Sequence, residues 1–251
     1  MYSFFKLISL VLILINLANA SLPKDLITGD KLYAERENLE KAYQALSLYE
    51  KHLDLEPDSI EALWRASMAN YYVGHLLSND SKRIDHYRKG VKQGIQCAEL
   101  TKDKKVECYF WQATNMALLK KEHGILSLAL GISNVIKIYE KALLIDSHYA
   151  GSGPYRMLAL LFYKAPGFLG GDEVKAYEYI KKAIEQSPKE PLNYYFYIKF
   201  LVEDDEVEQA LKIAKLFAKG TADSTFSYFE SRTAFKNINI FLATKELPKK
   251  D

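Results

Sequence analysis

The sequence predicts an all-α protein, an α-solenoid of about five helix pairs with a C-terminal capping helix. Three observations carry this. The 251 residues hold only 12 glycines and 7 prolines, too few for a turn-rich β architecture. Apolar residues recur at helical rather than alternating spacing. A four-point pattern, with steps of four, three and five residues, returns along the chain at intervals that a stacked repeat would give. Hydrophobic residues make up 49%, enough for a large core and too many for disorder.

The first element is an address. Met1–Ala20 reads MYSFFKLISLVLILINLANA, with a basic Lys6, an apolar run to Leu17 and a small-x-small site at Ala18-Asn19-Ala20. This predicts a signal peptide over residues 1–20 and a single mature domain over 21–251. The apolar run is shorter than the roughly 20 residues a spanning helix needs, which argues against an uncleaved anchor. No cysteine follows the site, so there is no lipobox. The expected product is soluble and periplasmic. Its charge falls from +2 to +1 with the loss of Lys6. So even a balance argues against nucleic acid as a partner.

The pattern is clearest in Val174–Pro188, VKAYEYIKKAIEQSP. Ala176, Ile180 and Ala183 share a helical face, and the helix must end near Pro188. The same steps are met by Ala45, Tyr49, His52 and Pro57; by Gly90, Gly94, Cys97 and Lys102; by Val135, Tyr139, Ala142 and Ser147; and by Ala210, Ala214, Phe217 and Ala222. The leading residues lie 45, 45, 41 and 34 apart. A second helix fits between successive frames: Ile60–Leu77, Val106–Lys120, Pro154–Lys164 and Leu192–Glu203. Such units resemble the tetratricopeptide family, whose repeat of about 34 residues is a helix–turn–helix with small residues and a closing proline. The longer intervals imply insertions or lengthened helices. Ser224–Glu246, apolar through Phe229, Phe235, Ile238 and Leu242, is expected to cap the stack.

Two cysteines cannot build a disulfide scaffold or a four-thiolate zinc site. Cys97 and Cys108 flank the charged segment Thr101–Glu107, which fits a turn between antiparallel helices. Either a disulfide or two buried thiols suits this spacing. In tetratricopeptide units the first helix of each pair lines a groove. Aligned by the frame intervals, those helices give three rows: Trp64, Tyr109, Pro154, Tyr195; Met68, Ala113, Leu158, Lys199; and Tyr71, Met116, Leu161, Val202. Lys199 is the one polar member. The expected groove residues are therefore Trp64, Met68, Tyr71, Tyr109, Met116, Leu158, Leu161 and Tyr195, which suit an apolar ligand or partner segment. Packing within the core is the competing use of the same stripe.

Gly151–Asp172, GSGPYRMLALLFYKAPGFLGGD, is the second distinctive stretch. Pro154 fits the first turn of a helix, and Asp172 fits an N-cap. The glycines lack the Lys-Ser/Thr and preceding strand of a phosphate loop. Tyr155 and Arg156 join the expected site, Arg156 through a ligand carboxylate, a partner's acidic side chain or a structural salt bridge.

From Tyr139 to Pro188 and on to Asn193-Tyr194, the chain resembles the T component of tripartite (TRAP) transporters, the TatT family of periplasmic helical-repeat proteins. The features shared are Gly151-x-Gly153-x-Tyr155-Arg156, Lys164-x-Pro166, Gly171-Asp172 and Asn193-Tyr194. The chain departs from the family in lacking a lipid-bearing cysteine. The resemblance implies a non-enzymatic accessory without cofactor. It would pair with a periplasmic solute-binding protein, handle a hydrophobic or carboxylated small molecule, and assemble as a homo-oligomer. A general cell-envelope scaffold for protein–protein interaction is the alternative. Catalysis finds little support: His52, His75, His86, His123 and His148 stand apart, with no nucleophile–base pair or metal cluster in the sequence.

Overall fold

The computed structural model describes residues 22–102, 104–221 and 228–248. The expected signal peptide lies outside the described residues, as does Ala222 of the last frame. The described chain is helical throughout, with no strand among the described residues. Five pairs follow in order: α1 (Lys24–Ala34) with α2 (Leu39–Leu55), α3 (Ile60–Leu76) with α4 (Asp80–Thr101), α5 (Val106–Glu122) with α6 (Ile125–Ile145), α7 (Tyr149–Lys164) with α8 (Glu173–Gln186), and α9 (Pro191–Glu203) with α10 (Val207–Thr221). A final helix, α11 (Phe229–Thr244), caps α9 and α10. This is the all-α solenoid of paired helices that the sequence predicts.

The boundaries follow from local chemistry. Asn38 accepts from the Glu40 and Lys41 amides to start α2, and Asn79 accepts from Lys82 to start α4. Asp172 caps α8 by accepting from Lys175 N, as expected, and Glu190 caps α9 with Pro191 in the first turn. Lys102, in the left-handed region at φ 48°, ends α4. The long intervals come from lengthened helices: α4 has 22 residues and α6 has 21, against 14 in α8 and 15 in α10. The leading frame residues Ala45, Gly90, Val135, Ala176 and Ala210 are all buried. At Gly90 a Cβ would stand 2.4 Å from the Asn115 side chain, so α4 and α5 meet there only because the position is glycine.

Odd-numbered helices stack on one another to form one layer, and even-numbered helices cover them. The core falls into two clusters, one within the first pairs and one running from Leu63 to Phe241, with Leu53 packed against both. Cys97 and Cys108 are joined as a disulfide with Cα atoms 5.4 Å apart, tying α4 to α5 across their turn. No described helix is long and apolar enough to cross a membrane.

The inner face as candidate functional site

α3 shows most clearly which side of the odd layer is open. From Glu61 to His75 the residues that reach solvent are Glu61, Trp64, Met68, Tyr71 and His75, a single stripe at steps of three and four. Everything else on that stretch is buried. The expected groove residues Trp64, Met68 and Tyr71 therefore do share one accessible face. Trp64 is partly covered at its lower end: Arg65 lies 4.1 Å over its ring, and its Nε1–H donates to Glu61 at 2.9 Å.

The row continues on α5 through a different residue from the one expected. Tyr109 is 5% exposed and Leu158 is fully buried, so both belong to the core. On α5 the accessible residues between Val106 and Asn115 are Glu107 and Trp111. Frame intervals count residues on the outer helices, and one residue of slip turns an inner side chain by about 100°. Trp111 was missed for that reason, and Tyr149 because the sequence reading opens its helix only at Pro154. Their signal was only their aromatic character on an inner helix. Met116 turns toward α6, where its sulfur lies 3.6 Å from Asn134 Nδ2. Tyr155 packs edge-on against Tyr179 of α8 at 5.7 Å. Leu161 and Tyr195 are half-buried against the core.

Three aromatic groups form the centre of the face. Tyr71 and Trp111 lie 5.5 Å apart between ring centroids. Trp111 Nε1–H donates to the Tyr149 hydroxyl at 2.9 Å, linking α5 to α7. Burial pushes the Tyr71 hydroxyl up to about 12, helped by the nearby negative charge of Glu230 and opposed by Arg36 and Arg156. Burial likewise raises Tyr149, which has Glu107 and Tyr228 as electrostatic neighbours. These hydroxyls stay protonated at any physiological pH, so the face offers aromatic surface and neutral donors rather than acid–base chemistry.

Among the described residues Arg156 forms no salt bridge with a carboxylate. The residue is 6% exposed, and its guanidinium donates to Gly151 O at 3.0 Å, Ala150 O at 3.1 Å and Asn193 Oδ1 at 2.7 Å. Ala150, Gly151 and Ser152 are all left-handed, at φ 50°, 63° and 61°. Arg156 thus holds the turn that opens α7. The salt bridges of this stretch belong to Lys164, which pairs with Glu203, and to Asp172, which pairs with Lys175 at 3.3 Å.

The far end of the chain returns to the near end. Arg36, in the turn after α1, donates through Nε to Glu230 Oε1 at 3.0 Å and through a second nitrogen to Glu230 Oε2. Arg232 pairs with Glu37 at 3.1 Å, and the buried Ser231 donates to Glu190 at 2.9 Å. Phe229 packs on the cluster of the first pairs. The first turn of α11 therefore bridges the turn after α1, the cluster of the first pairs and the start of α9. Among the described residues no group of three His, Cys, Asp or Glu is placed to hold a metal.

The sequence model of the family described as regulator of microtubule dynamics protein 1-3 (RMD1-3) matches residues 26–153, just over half of the chain. The chain belongs to this family. The RMD1-3 segment runs from α1 to the start of α7, and so contains Met68, Tyr71, Trp111 and Tyr149. Among solved structures the chain is similar to TTC0263, a thermophilic TPR protein of Thermus thermophilus. The TM-score is 0.63 with 16% identity, over 86% of this chain and 97% of that one. That likeness shows the tetratricopeptide-like fold. A structure of MamA matches with a TM-score of 0.49 and 17% identity, over 76% of this chain and 91% of that one. A search of curated proteins finds no match.

Proposed function

We propose that this chain is a non-enzymatic scaffold that binds a segment of a partner protein on its inner aromatic face. The observation that carries it is the Met68–Tyr71–Trp111–Tyr149 row, four partly exposed side chains linked across α3, α5 and α7 by the Tyr71–Trp111 ring contact and the Trp111–Tyr149 hydrogen bond. Large, rigid aromatic groups with hydroxyl and methionine neighbours are the composition of binding hot spots. The RMD1-3 description names microtubule dynamics, which makes polymerised tubulin one partner to try by cosedimentation. Affinity capture from the source cell tests the scaffold. Met68→Lys should abolish the specific interactor, while Leu144→Lys on the exposed side of α6 should leave it. Equal capture by both variants would contradict the reading.

A second reading keeps the TRAP resemblance: a periplasmic accessory that pairs with a solute-binding protein and handles a hydrophobic or carboxylated molecule. Its support is the scarcity of cations along the row, which favours an apolar guest over a peptide carboxylate, and the leader-like residues 1–20. Native mass spectrometry of protein purified from its source separates the two. A co-purifying small molecule favours the accessory, and an apo chain with a protein interactor favours the scaffold.

A further inference from the structure

We propose that the first turn of α11 is an intramolecular stand-in for a partner: it partly covers the α1–α3 end of the inner face until a partner's carboxylate takes Arg36 from Glu230. This rests on the inner face being the binding surface. Glu230 and Arg36 are 194 residues apart, yet they meet as a two-point fork, the geometry in which Arg recognises a carboxylate. Phe229, the preceding residue, seats on the apolar cluster of the first pairs. An aromatic group followed by an acid thus already occupies a surface formed by α1, α2 and α3.

The turn sits at the α3 end of the row it would guard: Phe229 and Tyr71 pack against the same apolar cluster. Glu230 is in addition an electrostatic neighbour of Tyr71. Tyr228 is 65% exposed, so the cover is thin. Arg36 does not depend on Glu230 to stay in place. Its guanidinium lies 4.6 Å from the Tyr33 ring centroid and 5.4 Å from that of Tyr72, and it donates to Tyr33 O at 3.1 Å. A second carboxylate could therefore replace Glu230 on a fork that is already positioned, and the exchange conserves charge and hydrogen bonds. The two lesser contacts, Arg232–Glu37 and Ser231–Glu190, hold the turn from either side. The partner segment this surface fits presents an aromatic residue next to Asp or Glu.

Trp111 reports the opening. In the full chain carrying Trp64→Phe it is the remaining tryptophan, and acrylamide quenching reads its access to solvent. Arg36→Glu should raise the quenching constant by about twofold or more, as expected of a local opening. Adding Glu230→Arg, which restores the pair with its charges reversed, should return it to the parent value. Glu230→Gln, which keeps shape and loses charge, should raise it by less, and it decides the matter alone if circular dichroism shows Arg36→Glu unfolded. Unchanged quenching in the folded single variants, or no return in the reversed pair, would overturn the proposal. No partner is present in this measurement. A failure here removes the clasp and leaves the binding face, whereas failed capture with intact quenching removes the binding face and leaves the clasp.

Discussion

Arg156 holds a turn that its own residues disfavour. Two of the three left-handed positions, Ala150 and Ser152, are not glycine, and such conformations cost of order 1 kcal/mol each. The guanidinium offsets that cost by gathering two backbone carbonyls and Asn193 into one buried network, although burial lowers its own pKa. Arg156→Met leaves those acceptors unsatisfied and should destabilise the fold by about 3 kcal/mol, read as a lower urea midpoint. Arg156→Lys should recover little, because an ammonium cannot reproduce the fork. Sequence reading found this residue but gave it to a ligand or a salt bridge, because nothing in Gly151–Arg156 shows that the carbonyls turn inward. Glu61 makes the second residue-scale case. Burial alone would raise its pKa, but hydrogen bonds from Lys105, Trp64 and Arg65 hold it at about 2 against the ordinary 4.5. Its contribution is present above the unfolded value and is lost as pH falls from about 4.5 toward 2. Thermal midpoints measured across that range should fall less steeply in Glu61→Gln than in the parent.

At the scale of elements, the sequence was most legible where small residues lead a buried frame. Ala45, Gly90, Val135, Ala176 and Ala210 mark five outer helices, and each is in the core. The tail helix was legible too, through Phe229, Phe235, Ile238 and Leu242, although only its part from residue 228 is described. α1 was not, because its apolar residues are few and its N-cap residue, Pro23, offers no side-chain acceptor. The inner-face register was also hidden, since helix rotation about its axis is set by packing and not by the repeat interval. The disulfide between α4 and α5 closes a short loop, so the chain-entropy estimate gives it about 2–3 kcal/mol. Reduction should lower the melting temperature. Cys97→Ala/Cys108→Ala should match the reduced protein rather than the oxidised one. Identical melting of oxidised and reduced chain would mean that burial of the two sulfurs supplies the whole effect.

For the whole molecule the decisive contacts span the greatest sequence distance. Nearest-neighbour stacking explains the stability of a solenoid and says nothing about where its ends go. Arg36–Glu230 and Glu37–Arg232 bring the ends together, and no local pattern announces them. That return converts an open stripe on α3 and α5 into a face shared by the first pairs and the last helix. The central claim is that partners are recognised there. Photo-crosslinking tests it most directly, with benzoylphenylalanine placed at Met68 on the inner stripe and, as control, at the exposed Leu144 on α6. In the source cell, position 68 should give a discrete adduct that weakens in Tyr71→Ala/Trp111→Ala, and position 144 should give none. Adducts from position 144 alone, or an adduct at 68 indifferent to the loss of both aromatic rings, would contradict the account.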